Sequence, residues 1–83
     1  MNEIRILGIL VRERSKAALE VQHVLTKYGC SIRTRLGLNE LGMVHCDDCG
    51  LILLELIGDP AECLRLENAL WAIDGVKLQR MIF

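Results

Sequence analysis

Two stretches of strand length are apolar at nearly every position, and they limit the folds that this chain can adopt. The first runs from Ile4 to Val11, and the second runs from Gly50 to Gly58 with Glu55 as its one charged interruption. A strand with one wet face alternates apolar and polar residues, whereas a strand covered on both faces does not. We therefore predict two central strands of one sheet, each with large apolar side chains on both sides.

The other elements are predicted from periodicity and end signals. Residues 16–28 carry apolar side chains at the 3.6-residue period of a helix, and residues 30–38 alternate as a half-exposed strand does. Asp59 and Pro60 give a second helix an N-cap and a first residue that needs no hydrogen-bond acceptor. Residues 76–83 predict a closing strand after the Asp-Gly turn at 74–75.

The predicted order is β-α-β-β-α-β within 83 residues. A chain of this length forms one domain, which we expect to cover residues 1–83. The compact arrangement of this order is a ferredoxin-like α+β fold, a four-stranded antiparallel sheet with two helices on one face.

The sheet face without helices is the first functional clue, because both central strands bring apolar side chains to it. A large exposed apolar patch on a small protein marks an interface. We predict a homo-oligomer joined through this open sheet face, since a two-fold axis uses one patch twice. Leu64 and Trp71 lie seven residues apart on a flank of the second helix. They either add to the interface or complete the edge of the core.

Composition excludes several classes of function. A net charge of −1 and three aromatic rings do not suit a direct nucleic-acid binder. No apolar run reaches the roughly 18 residues that cross a bilayer, and the first residues do not resemble a signal peptide. We therefore expect a cytoplasmic protein without membrane contact, in which the four cysteines are reduced.

The segment with most chemical potential is His45-Cys46-Asp47-Asp48-Cys49-Gly50. Two residues between the thiols allow both sulfurs to reach one zinc or iron ion, and the glycine permits the tight turn beneath it. We predict His45, Cys46 and Cys49 as metal ligands on the long hairpin between the second and third strands. A redox-active dithiol and the absence of any chemical role are the alternatives.

One such motif supplies fewer than the four ligands of a structural zinc site. The same motif from a second copy could complete the set at a symmetry axis. Asp47 or Asp48 could join instead, as could Cys30 or Cys63 if the fold brings either of them near.

The remaining polar residues give weaker indications of function. Arg33 and Arg35 share one parity of their strand, and we expect a cross-strand ion pair with Glu55 rather than an anion site. The sequence carries no nucleophile-and-base arrangement, phosphate-binding glycine loop or dinucleotide fingerprint. We assign no catalytic residue and no cofactor-binding residue, and we expect that the protein is not an enzyme.

Four short segments resemble a family of small bacterial regulators of the iron-only hydrogenase system. They are Arg5 to Val11, Val24 to Gly29, Arg35 to Leu38, and the closing Leu70 with Ile73 to Lys77. Members are similar in fold to ACT domains and to the ligand-sensing domain of the nickel-responsive repressor. The resemblance implies an ACT-like oligomer with a regulatory role and brings no catalytic residues.

The sequence thus predicts a small regulatory or ligand-sensing module that acts as a homo-oligomer. Its ligand would be an unidentified small molecule or a metal, the latter bound through the His-Cys-x-x-Cys hairpin. A metal- or redox-handling accessory protein and a plain oligomerisation domain are the alternative functions.

Overall fold

The computed structural model describes residues 3–12, 14–38 and 50–83. These residues form four strands, two α-helices and one short 3₁₀ turn. In chain order they are β1 (Arg5–Val11), α1 (Arg14–Lys27), the 3₁₀ turn (Gly29–Ser31), β2 (Ile32–Leu38), β3 (Gly50–Leu56), α2 (Pro60–Trp71) and β4 (Val76–Ile82).

The four strands form one antiparallel sheet in the order β2-β3-β1-β4. The two strands that are apolar on both sides, β1 and β3, are therefore the central pair, as the sequence predicted. Leu7 lies opposite Leu54 in their register, and Ile9 lies opposite Ile52. This topology with its two helices confirms the predicted ferredoxin-like α+β fold.

The core lies between the sheet and the helices. From β1 it takes the residues of one parity, and from α2 it takes a stripe three and four residues apart. The largest fully buried side chains are Leu7, Ile9, Val21, Leu54, Leu66 and Leu70. The residues of the other parity on β1 and β3 face away from the helices and build the surface described below.

The start of α2 follows its sequence signals closely. The Asp59 side chain accepts a hydrogen bond from the Ala61 backbone N–H at 3.0 Å, and Pro60 is the first helical residue. The Asp59 carbonyl also accepts from the N–H groups of Glu62 and Cys63. The free N–H groups of the first turn are therefore satisfied within the chain.

The turn into β4 depends on Gly75, whose φ of +86° lies in the left-handed region. A Cβ at this position would come within 3.0 Å of the Arg12 carbonyl oxygen. The Gly75 carbonyl accepts a hydrogen bond from the Arg12 N–H at 2.7 Å, which holds the turn beside the end of β1. The 3₁₀ turn occupies Gly29–Ser31, so β2 starts at Ile32 rather than at Cys30, where the sequence pattern placed its start.

None of the helices in the described residues is long and apolar enough to cross a membrane.

Candidate functional site

The open face of the sheet carries a continuous group of apolar side chains. Each strand contributes at least one of them, and all are partly or largely exposed. They are Ile6 and Leu10 from β1, Leu51 and Leu53 from β3, Leu36 from β2 and Met81 from β4. We call this group the open-face patch. Such a group on a domain of this size is typical of an interface.

The register of the strands explains why the patch is continuous. Leu10 lies opposite Leu51, and Leu36 lies opposite Leu53, so apolar residues meet across the strands. Gly8 lies at the centre of the face, and a Cβ added to it would be 3.6 Å from Leu53 Cδ2. The glycine therefore leaves a shallow depression beside the Leu53 side chain.

Polar residues surround the patch on the two outer strands. Lys77 and Gln79 lie on β4, and Thr34 lies on β2. Glu55 is the one charged residue that β3 brings to this face, and it accepts a hydrogen bond from the Thr34 hydroxyl at 3.1 Å. An apolar centre with a polar rim is the common anatomy of a protein interface.

The expected ion pair between the β2 arginines and Glu55 is wrong. A β-bulge between Ile32 and Thr34 shifts the register of β2, so that Thr34 lies opposite Glu55. Arg35 then lies opposite Leu54, on the side of the sheet that bears the helices. No ion pair joins Arg33 or Arg35 to Glu55 in the described part of the chain.

The predicted metal ligands His45, Cys46 and Cys49 lie outside the described residues. The strands on either side of them end at Leu38 and begin at Gly50, beside Val11 at one end of the sheet. In residues 3–12, 14–38 and 50–83, no three His, Cys, Asp or Glu side chains lie close enough together to hold a metal ion.

The positions of the other two cysteines bear on the metal hypothesis. Cys30 lies in the turn before β2, and Cys63 lies in the first turns of α2, both beside the end of β3 at Leu56. Gly50 begins β3 about 20 Å away, since each strand residue advances the chain about 3.3 Å. Neither cysteine is therefore adjacent to the end of the sheet at Leu38 and Gly50.

Cys63 is also chemically unsuited to metal binding. Its thiol is buried and donates a hydrogen bond to the Ile57 carbonyl at 3.4 Å. Burial raises the pKa of the Cys63 thiol, and the nearby Arg5 charge does not outweigh this effect. A thiol that stays protonated is a poor ligand and a poor nucleophile. Cys63 therefore packs in the core.

A cleft of about 670 Å³ lies at this same end of the sheet. Its walls come from the start of β1, the end of β3 and the start of α2, and its charged lining has both signs. The charged residues are Arg5, Arg33, Glu3 and Glu55, and the apolar walls include Ile4, Ile57 and Pro60. The volume falls in the range of small-ligand sites.

Comparison with known proteins supports the fold and leaves the family open. No family model matches this chain, and no curated protein matches it. An uncharacterised protein from Thermotoga maritima is 26% identical over 99% of both chains, with a TM-score of 0.82. The chain is thus similar over its whole length to a protein whose own role is undefined.

A second solved structure shares the fold at lower similarity. It is CPII, a nitrogen regulatory PII-like protein from Thiomonas intermedia K12, solved with ADP, AMP and bicarbonate bound. The identity is 12%, the alignment covers 99% of this chain and 93% of that chain, and the TM-score is 0.59. The fold is ferredoxin-like and PII-like. The iron-only hydrogenase regulator family is not identified by either comparison.

The structure contains a buried carboxylate on α2 that was not predicted from the sequence. Glu67 is 4% exposed and accepts hydrogen bonds from two arginines, Arg5 at 3.1 Å and Arg80 at 3.2 Å. Arg5 also donates to Glu3 at 3.2 Å. We call these four residues the charged network. It ties α2 to β1 and to β4, the two strands beneath it.

Arg5 remains charged in this setting. Burial acts to lower the pKa of Arg5, but its hydrogen bonds to Glu3 and Glu67 outweigh that effect and raise it. The guanidinium is therefore cationic at every pH at which the protein is folded. A helical period could have found Glu67, because it lies four residues after Cys63 and three before Leu70, on the inward stripe of α2.

Leu64 and Trp71 lie on the helix side of the sheet, away from the open-face patch. Leu64 is 48% exposed, and Trp71 is 56% exposed. Both line a groove of about 340 Å³ between α2 and β4, together with Leu78 and Arg80. They neither complete the core nor belong to the open face. We call this groove the α2–β4 groove.

Proposed function

We propose that this chain is a small regulatory or ligand-sensing module that acts as a homo-oligomer joined through its open sheet face. The observation that carries the proposal is the open-face patch, whose apolar residues come from all four strands. A second copy of the same face would cover this patch symmetrically.

Burial of the apolar patch would stabilise this association. Apolar surface removed from water contributes about 25 cal/mol per Å². Covering six large apolar side chains, even partly, recovers several kcal/mol, which is comparable to the whole stability of a small domain.

The regulatory part of the proposal draws support from the fold. CPII is a regulatory protein that was solved with nucleotides and bicarbonate bound, and its fold resembles this one. The cleft lined by Arg5, Arg33, Glu3 and Glu55 is a place where a small polar ligand could bind. We propose a sensing role without catalysis in the cytoplasm, and a link to an iron-only hydrogenase system follows from the sequence resemblance.

We further propose that His45, Cys46 and Cys49 bind a metal ion. Two copies of the Cys-x-x-Cys motif supply four thiolates, the ligand number of a structural zinc site. The distance of Cys30 and Cys63 from Gly50 favours completion by a second copy over completion within one chain. A metal- or redox-handling accessory protein would use the same motif.

A Leu53→Lys substitution should disrupt association through the open sheet face. The new ammonium would lie in the middle of the open-face patch, where a second copy would exclude water from it. Burying this unpaired charge is costly, so we expect association to weaken at least about 100-fold. Light scattering at micromolar concentration gives the mass, and circular dichroism checks the fold. Thr34→Lys adds the same charge on the polar rim at β2, beside Glu55, and should stay associated. A monomeric parent protein would contradict the proposal.

A Cys46→Ser/Cys49→Ser double variant should lose bound metal. We expect untagged parent protein to carry about one zinc or iron ion per two chains, since two motifs complete one set of four ligands. Elemental analysis by mass spectrometry measures this ratio. Cys30→Ser removes an exposed thiol elsewhere and should retain the metal. Metal-free parent protein whose melting temperature does not rise with added zinc would exclude metal binding and leave the open-face dimer untouched.

A further inference from the structure

The outer edge of β4 offers unpaired backbone groups that follow from the hydrogen bonds with β1. Ile4 and Phe83 exchange N–H···O bonds in both directions, and the Arg12 N–H bonds the Gly75 carbonyl. Such pairs alternate along an antiparallel ladder. The odd-numbered residues of β4 therefore bond to β1, and the even-numbered residues point their N–H and C=O groups outward. These are Val76, Leu78, Arg80 and Ile82. The Val76 N–H already donates to the Ile73 carbonyl at 3.3 Å, so Val76 offers only its carbonyl.

The two edges of the sheet differ in how well they could accept another strand. β2 carries a β-bulge between Ile32 and Thr34 and exposed arginines at 33 and 35, features that protect an edge from pairing. β4 pairs with β1 in an unbroken register over seven residues. The α2–β4 groove lies directly against this regular edge, so the exposed Leu64 and Trp71 accompany the unpaired backbone.

We propose that the β4 edge and the α2–β4 groove form a second interface between copies of this chain, distinct from the open sheet face. The two surfaces lie on different sides of the sheet, so one two-fold axis cannot cover both. Used together, they would join four copies around two kinds of two-fold axis.

If β4 pairs with β4 of a second copy, one register places the outward-pointing backbone groups of the two strands opposite each other. With Gln79 opposite its own copy, Leu78 meets Arg80 of the partner subunit, and Val76 meets Ile82 of the partner subunit. Every outward-pointing residue then pairs with an outward-pointing residue. Lys77 and Arg80 face apolar residues rather than each other, so no like charges are directly opposed.

A shift of two residues in either direction is less favourable. One shift sets Arg80 directly against the same arginine of the second copy, and the other leaves Ile82 without a strand partner. In the favoured register the two α2 helices lie side by side and antiparallel. Leu64 and Trp71 are about 10 Å apart along the helix, since each residue rises 1.5 Å. Leu64 of each copy can therefore contact Trp71 of the partner subunit.

Trp71 reports on this interface, because it is the chain's single tryptophan. We expect its fluorescence emission to shift to shorter wavelength as concentration rises and the ring leaves water. Hydrogen exchange by NMR should show the Leu78 and Arg80 amides protected at high concentration and exposed at low concentration. An emission maximum and amide exchange that do not change with concentration would overturn the proposal.

Light scattering on variants separates the two interfaces. We expect four copies for the parent protein, two for Leu64→Lys, two for Leu53→Lys and one for the double variant. Leu19→Lys changes a leucine on α1 that is 70% exposed and should leave four copies. Leu64→Lys with unchanged mass would overturn the β4 interface alone, whereas Leu53→Lys with unchanged mass would overturn the open-face interface alone.

Discussion

Replacing Glu67 with Gln should reduce the free energy of unfolding by about 3 kcal/mol, the low end of the range for breaking a buried ion pair. The substitution keeps the shape of the side chain and removes its charge. Arg5 is largely buried, and its ion pair with the exposed Glu3 would then be the one that remains to it. Urea unfolding followed by circular dichroism measures the loss, which corresponds to roughly 15 °C in melting temperature for a domain of this size.

The same helix provides a matched control. Glu62 is partly exposed and pairs with Arg65 on the surface of α2. A Glu62→Gln substitution makes the same chemical change and should cost less than about 1 kcal/mol, as surface pairs do. Equal losses from the two substitutions would show that burial of Glu67 does not govern its contribution.

The two arginines of the charged network should differ from each other. Both pair with the buried Glu67, but the Arg80 side chain is 53% exposed and that of Arg5 is 15% exposed, so Arg80→Met should cost less than Arg5→Met. An Arg5→Met/Glu67→Gln double variant should lose less than the sum of the single losses, because the second substitution removes a charge that the first one left unpaired.

The sequence predicted those parts of the fold that depend on local chemistry. Asp59 and Pro60 set the start of α2 because they satisfy or avoid its free N–H groups, and Gly75 marks a turn that requires a positive φ. The apolar parity of β1 and β3 predicted both their central positions and the exposed patch, because each strand has only two sides. These features depend on residues that are close in sequence.

The errors arose where a distant partner decides the outcome. The bulge in β2 brings Thr34 rather than an arginine opposite Glu55, and a bulge leaves no trace in an alternating pattern. The burial of Glu67 is possible because Arg5, 62 residues earlier on β1, donates a hydrogen bond to it. Period alone predicts the position of a side chain on a helix, but it does not supply the partner that allows a charge to be buried.

Leu64 and Trp71 illustrate a third kind of limit. The sequence left open whether they belong to the core or to an interface. Helical periodicity gives the direction of a side chain around the helix axis, but it does not say what packs against that side chain. The structure assigns both to the α2–β4 groove, on the opposite side of the sheet from the open-face patch. That separation is a property of the assembled sheet and helix. It turns one expected interface into two candidate surfaces.

Leu66→Ala should be the most destabilising of the substitutions considered, with a loss of about 3–4 kcal/mol in unfolding free energy. Leu66 is fully buried between α2 and the sheet, so truncation leaves a cavity that the surrounding core cannot close. Because the lost contacts lie within one chain, the loss should be the same at every protein concentration. Urea unfolding at two concentrations a hundredfold apart tests this.

Leu64→Ala makes the identical change two residues away and should behave differently. Leu64 is 48% exposed in a single copy, so dilute protein should lose less than about 1 kcal/mol. At high concentration the parent gains stability from association through the α2–β4 groove, and the variant should gain less. A loss that grows with concentration for Leu64→Ala and stays constant for Leu66→Ala would separate the interface from the core on one helix. A concentration-independent loss for both would contradict the second interface.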